Sequence, residues 1–292
     1  MKNYHVFRQH LAAPLVAVEL SFNGAFELSP GDADVLVQVQ GGDIMWQKER
    51  LLNIGLRHLP PSCRNVAWLD CDLIFEDDTW MMRASQALET FAIVHLFDER
   101  HDLDPDAETE PRPKPHAEPT AFSSIYKLVT GQAAPDQFSR MGVVGALRST
   151  NGLAWAGRRD VLDRHGLYDA CIVGAGDKAT TCAALGRLDD AIVAHRMNPR
   201  RTAHFRSWAG PFSEMVQGAV GYIPGRIFHL WHGDLKHRQY AERPAWLDGF
   251  DPFTDIALDR NGCWRWSSNK QDLHARVARY FRSRHEDGYA PV

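Results

Sequence analysis

Asp70-Cys71-Asp72 follows the apolar stretch Val66-Ala-Trp-Leu69 and leads into Leu73-Ile74-Phe75. Two carboxylates one residue apart at a strand end can share a hard divalent cation, Mn²⁺ or Mg²⁺, leaving positions open for diphosphate oxygens. Flanking apolar segments put the pair at the edge of a core, where buried carboxylates need partners. The plainer alternative is an acidic turn. Cys71 points to the opposite face of an extended backbone and reads as packing. The second constellation is His229-Leu-Trp-His232-Gly233. An imidazole late in the chain can complete a carboxylate metal site, so the expected ligand set is Asp70, Asp72 and His232. A hydrogen-bonded strand-end histidine is the alternative for His232. His229 reads as such a histidine or, within a site, as an acceptor-side contact.

Gly174-Ala-Gly176-Asp177 stands at the start of a predicted helix over 178–185. Asp177 there is either a helix cap or a general base that takes a proton from an acceptor hydroxyl. Glycines such as Gly176 allow close backbone approach. In Trp46-Gln-Lys48-Glu-Arg50-Leu-Leu-Asn53-Ile-Gly55, basic side chains near a helix's first turn are placed to reach phosphate or ribose oxygens, unless they are a solvated face.

The elements that must position these groups alternate in period. Strand patterns occupy 15–22, 35–39, 66–69, 92–97 and 226–231. Helical spacing occupies 46–59, 79–90, 158–165 and 270–284. Strand, helix, strand implies an α/β sheet with active residues at strand carboxyl ends. Residues 98–119, with five prolines (Pro105, Pro111, Pro113, Pro115, Pro119) and many acids, read as a solvated loop, either a tolerated insertion or a flap over the acceptor.

Composition limits the choices. The 292 residues are 44% hydrophobic and 24% charged, with a net charge of −4, which argues against a surface built wholly to grip nucleic acid or anionic membrane. The halves differ: residues 1–146 hold 12 basic and 21 acidic side chains, residues 147–292 hold 21 and 16. An anion-binding surface is therefore expected in the second half, where the clustered Arg196, Arg200, Arg201 and Arg206 are either a solvated basic face or a surface for a polyanionic acceptor such as modified DNA or RNA. Five cysteines without a Cys-x-x-Cys pair make neither a disulfide scaffold nor a zinc ribbon. Without a long apolar run, no stable membrane insertion is expected, and the expected compartment is cytoplasmic.

In this order and spacing, the segments resemble a glycosyltransferase of the GT-A fold, most closely the β-1,4-galactosyltransferase family. Trp46 to Gly55 matches that family's aromatic-polar-basic-x-basic-Leu-Leu-Asn-x-Gly segment, and Asp70 to Ile74 its Asp-x-Asp-Leu-Ile. Gly152 to Tyr168 is comparable to its acceptor segment, Gly174 to Asp177 to its glycine pair leading into acids, and His232 to its late metal-binding histidine. The likeness spans roughly residues 44–235. Its run of consecutive acids is reduced to Asp177, and its tryptophan in that loop and its secretory anchor are missing. There is also a looser similarity to glycosyltransferase-like proteins of phages and bacteria.

The resemblance implies an α/β, Rossmann-like domain over 1–292 with a mainly parallel sheet flanked by helices. Its parts would be a nucleotide-sugar and metal half (1–97), a mobile insertion (98–140), an acceptor and catalytic half (141–240) and a C-terminal extension (241–292). It implies a nucleotide-diphosphate sugar, most closely a UDP-hexose, as donor. The acceptor would be a glycan, small molecule or nucleic acid, and inversion with Asp177 as base would be the reaction. Lys48, Arg50, Asn53, Lys236 and Arg238 would bind the donor; Gly152, Trp155, Gly176 and His229 would face the acceptor or sugar, with core packing an equal alternative for Trp155. A metal-dependent nucleotidyltransferase or phosphohydrolase, and a non-catalytic sugar-nucleotide-binding module, use the same residues and stay open.

Overall fold

The computed structural model describes residues 1–104, 118–140 and 146–284. In chain order the elements begin with α1 (Lys2–Gln9), β1 (Val16–Ser21), β2 (Val35–Gln40), α2 (Lys48–Leu56), β3 (Asn65–Leu69) and β4 (Leu73–Phe75). Then come α3 (Trp80–Ala87), β5 (Ile93–His95), β6 (Glu99–Asp102), β7 (Ala121–Ser123), α4 (Ser124–Val129), β8 (Ser149–Thr150), β9 (Ala154–Arg158) and α5 (Arg159–His165). The chain continues with α6 (Gly176–Ala184), α7 (Leu188–Ala194), α8 (Pro199–Val216), β10 (Val220–Tyr222) and β11 (Arg226–His229). It closes with β12 (Ile256–Leu258), β13 (Trp264–Trp266) and α9 (Gln271–Arg282). No helix among the described residues is long and apolar enough to cross a membrane.

The architecture is mixed α/β. The strand orders are β1-β2, β10-β5-β9-β3, β4-β11-β6-β7-β8 and β12-β13. The sheets are less parallel than expected: β1·β2, β10·β5, β11·β6 and β7·β8 run parallel, while β3·β9, β5·β9, β11·β4, β6·β7 and β12·β13 are antiparallel. Helices cover the sheets through apolar faces. In α9 the buried positions Leu273, Val277 and Tyr280 recur at helical spacing. Helix α8 starts from Pro199 at its first turn, with the Asn198 side chain accepting from the Arg201 N–H at 2.9 Å. Its buried face contributes Phe205, Ala209 and Phe212 to the larger core.

The expected loop over 98–119 and insertion over 98–140 are not uniform. Residues 99–102 form β6 between β11 and β7, and 121–129 form β7 and α4. Backbone pairing with β11 overrides the polarity of Glu-Arg-His-Asp. The proline-rich part, 105–117, lies outside the described residues.

The arginines expected to form a face in the second half divide: Arg196, Arg200 and Arg206 are exposed, and Arg201 is not. Arg201 is buried and donates to the His195 and Arg196 carbonyls, Arg200 pairs with Asp251 at 2.8 Å, and Arg206 pairs with Asp189 at 2.5 Å. These guanidinium groups hold the protein's own elements together.

Candidate metal and acid-base site

Strand register assembles the first cluster. Antiparallel pairing sets His229 of β11 opposite Leu73 of β4, and the Leu230 N–H donates to the Asp72 carbonyl at 2.7 Å. Parallel pairing on the other side sets His229 opposite Asp102 of β6. Asp72, His229 and His232 thereby offer ligand atoms that all lie within 4.8 Å of one another. His232 Nε2 is 3.3 Å and His229 Nε2 3.8 Å from Asp72 Oδ2, and the two ring nitrogens are 2.9 Å apart. Asp102 Oδ1, 3.0 Å from His229 Nδ1, fixes that ring with Nε2 facing the cluster. Burial, aided by His229, Arg238 and Arg284 and opposed by Asp72, pulls His232 down to about 4, so its ring is neutral at pH 7 as a ligand requires. Asp72 Oδ1 is buried with no hydrogen-bond partner among the described residues. A carboxylate, two imidazoles and an orphaned carboxylate oxygen fit a divalent cation, and the mixed oxygen–nitrogen set suits Mn²⁺ better than Mg²⁺.

The second cluster lines the same cleft, whose volume is about 1600 Å³. Lys48, first residue of α2, places Nζ 2.5 Å from Asp70 Oδ1 and 3.0 Å from Asp177 Oδ2. Burial opposes its charge, but Asp177 and Asp70 outweigh burial and hold the ammonium well above its usual range. Asp70 is pushed up to about 6, by burial first and by Asp177 and Asp72 next, against Lys48. Asp177 lies in the first turn of α6, which begins after Ala175 in the left-handed region (φ 70°). Gly152 makes room for it: a Cβ there would lie 3.1 Å from Asp177 Oδ2. Gly176 is needed more strictly, since its Cβ would meet Glu49 Oε1 at 2.3 Å.

Several expectations are corrected by this geometry. Asp70 is turned onto Lys48 and stands outside the three-residue cluster that could hold a metal, while His229, expected on the acceptor side, is inside it. Arg50 pairs with Asp169 at 3.0 Å, and Asn53 donates to the Leu167 carbonyl and accepts from the Leu167 N–H; both tie α2 to the 166–169 loop instead of reaching for a donor. Trp155 is 3% exposed, donates its indole N–H to the Asn151 carbonyl and stacks on Trp68 and His95. It is core, closed to a sugar. Lys236 is exposed and pairs with Asp234 at 3.0 Å. Cys71 is exposed at the cleft, not packed. Lys48 and Arg238 do line the cleft with Asp177, as do Gly152 and His232.

Sequence reasoning passed over Glu49 and Asp102. Glu49 is buried, accepts from the Trp46 indole N–H at 2.8 Å, and is pushed up to about 8 by burial first and by Asp177 next, against the pull of Lys48. The folded protein thus keeps this proton up to about pH 8, whereas the unfolded chain releases it near 4.5. Between those values the native state binds more protons than the unfolded state, so stability falls as pH rises. Thermal melts of Glu49→Gln are expected to decline less than wild type from about pH 5 to pH 8. Parallel profiles would remove the buried proton.

No protein-family model matches the chain, and neither curated proteins nor solved structures give a significant match to it.

Proposed function

We propose that the chain is a metal-dependent glycosyltransferase of GT-A type, moving a hexose from a nucleotide-diphosphate donor such as a UDP-sugar to an acceptor hydroxyl, with inversion. The observation that carries this reading is the meeting in one cleft of Asp72, His229 and His232 with the Lys48-linked pair Asp70 and Asp177. Departure of a nucleoside diphosphate builds negative charge on the leaving group while the sugar takes oxocarbenium character. A bound divalent cation supplies Lewis-acid stabilisation of that charge. Asp72, His229 and His232 would hold it, with Asp102 fixing the His229 tautomer. Asp177 takes the proton from the attacking hydroxyl, and Lys48 bridges Asp177 to Asp70. Two imidazoles and one carboxylate also accept other first-row ions, but the neighbouring carboxylate pair and basic groups favour transfer of a group carried on phosphate.

A thermal-shift screen tests the reading. Nucleotide-diphosphate sugars are added with Mn²⁺, with Mg²⁺ and with EDTA; a ligand of the native state raises the melting temperature. A shift of several degrees for one donor with Mn²⁺, lost in EDTA, is expected. No shift with any donor overturns the proposal, and release of phosphate or pyrophosphate without sugar transfer replaces it by a phosphohydrolase or nucleotidyltransferase.

A further inference from the structure

The segment after His232 puts three guanidinium groups into the wall of this cleft: Arg238, Arg243 and Arg284, which are 5%, 5% and 3% exposed. The setting of Arg243 and Arg284 is aromatic. Arg284 lies 5.0 Å from the Trp46 ring centre and 5.7 Å from that of Tyr280, and Arg243 lies 4.4 Å over Tyr240. Tyr280 of α9 ties the group together, accepting from Arg243 Nη1 at 2.8 Å and donating to the Arg238 carbonyl at 3.1 Å. On one side Arg238 Nη2 donates to the His232 carbonyl at 3.0 Å. On the other, Arg243 borders the turn before Asp177: a Cβ on Gly174 would stand 3.4 Å from its Nη1. The arginines therefore bridge the metal cluster and the proposed base.

Ring faces attract cations but do not neutralise them. A buried charge is costly unless an opposite charge meets it. No carboxylate among the described residues pairs with Arg243, whose contacts are the Tyr280 hydroxyl and the Tyr240 ring. A planar guanidinium with donors to spare, at a cleft wall, is suited to phosphoryl oxygens, which it binds in bidentate fashion.

We infer that Arg243, with Arg238 and Arg284, forms a subsite for a phosphoryl oxyanion that works without the metal. Resting on the glycosyl-transfer reading, the occupant is the donor's diphosphate, so the C-terminal segment holds the leaving group beside the Asp72, His229 and His232 cluster. The shared chemistry would equally suit the phosphate of a phosphorylated acceptor.

The test uses the full chain in EDTA, with calorimetric titration of inorganic pyrophosphate, UDP, uridine and a hexose 1-phosphate. Pyrophosphate and UDP are expected to bind and uridine to bind far more weakly. Arg243→Gln should weaken pyrophosphate at least tenfold, with Arg243→Lys losing less because it keeps charge but not the fork. Since Arg243 is buried, each variant is first melted without ligand, and Arg284→Gln serves as an independent second variant with the same expected loss. Tighter binding of the phosphomonoester than of pyrophosphate assigns the subsite to a phosphorylated acceptor. Absence of pyrophosphate binding to the wild type, or equal binding by folded Arg243→Gln and Arg284→Gln, overturns the inference. Anion binding that persists when no sugar nucleotide engages the protein with metal overturns the glycosyl-transfer reading alone.

Discussion

Asp72→Ala is expected to lower sugar transfer about 1000-fold, or about 4 kcal/mol of transition-state stabilisation, the scale on which a metal or oxyanion contact acts. The carboxylate is the only acid in the three-residue cluster, and its partners are imidazoles that bring no negative charge of their own. Removing it leaves His229 and His232 2.9 Å apart with no carboxylate ligand beside them, since Asp102 is engaged at the far nitrogen of His229. The loss should fall on turnover at any tested metal concentration, while the melting temperature without metal changes little, because the variant also removes an unpartnered buried oxygen. His232→Ala should act in the same direction. Asp102→Asn, acting only through the His229 ring, is expected to weaken apparent Mn²⁺ affinity by about 10- to 100-fold. Asp70→Ala separates this ligand set from the one expected from the Asp-x-Asp spacing. With Asp70 bound to Lys48, its loss should disturb the Lys48–Asp177 pair and leave Mn²⁺ affinity nearly unchanged. Rates are read from initial velocities across a Mn²⁺ titration. Wild-type turnover by Asp72→Ala would remove the metal from the mechanism.

The elements that carry the site were legible because their signals are local. The β-branched run at 16–21, the leucine spacing of α2 and the glycine that ends α5 all sit where the period and turn residues put them. Asp72, His232, Lys48 and Asp177 stand out by residue type and position beside those elements, and they line one cleft. What stayed hidden depends on partners far away in the chain. Glu-Arg-His-Asp of β6 has no apolar pattern and becomes a strand through pairing with β11, so Asp102 was invisible as the partner of His229. Helix α8 carries Gly210 and Pro211 within 18 residues and no clean apolar stripe, and was not assigned. Arg50 and Asn53 looked like ligand-binding groups because the residues that use them, Asp169 and Leu167, are more than 110 positions away. Glu49 sits inside a basic motif; its one local signal is Trp46, three residues earlier on the same face. The candidate metal cluster is thus readable in part from composition and spacing, and its completion by His229 follows only from sheet register.

Asp177→Asn is expected to reduce turnover by about 10²- to 10⁴-fold with donor binding retained, the range for a lost general base. The amide keeps the size of the carboxylate and fits the space left by Gly152, so backbone adjustment is not needed. Two effects of the substitution must be told apart. One is loss of the proton acceptor. The other is loss of a charge that holds Lys48, 3.0 Å away, between Asp177 and Asp70. Lys48→Met removes the second partner while leaving Asp177 ionisable. If Asp177 acts mainly as a base, Asp177→Asn should lose far more turnover than Lys48→Met at the same donor concentration. If it serves mainly to hold Lys48, the two losses should be similar and the double variant should lose no more than either, as expected for residues acting as a unit. Donor affinity, measured separately by calorimetry with Mn²⁺, fixes the assignment. A turnover loss at unchanged affinity makes Asp177 the base, and lost affinity moves it to the donor-holding wall of the cleft.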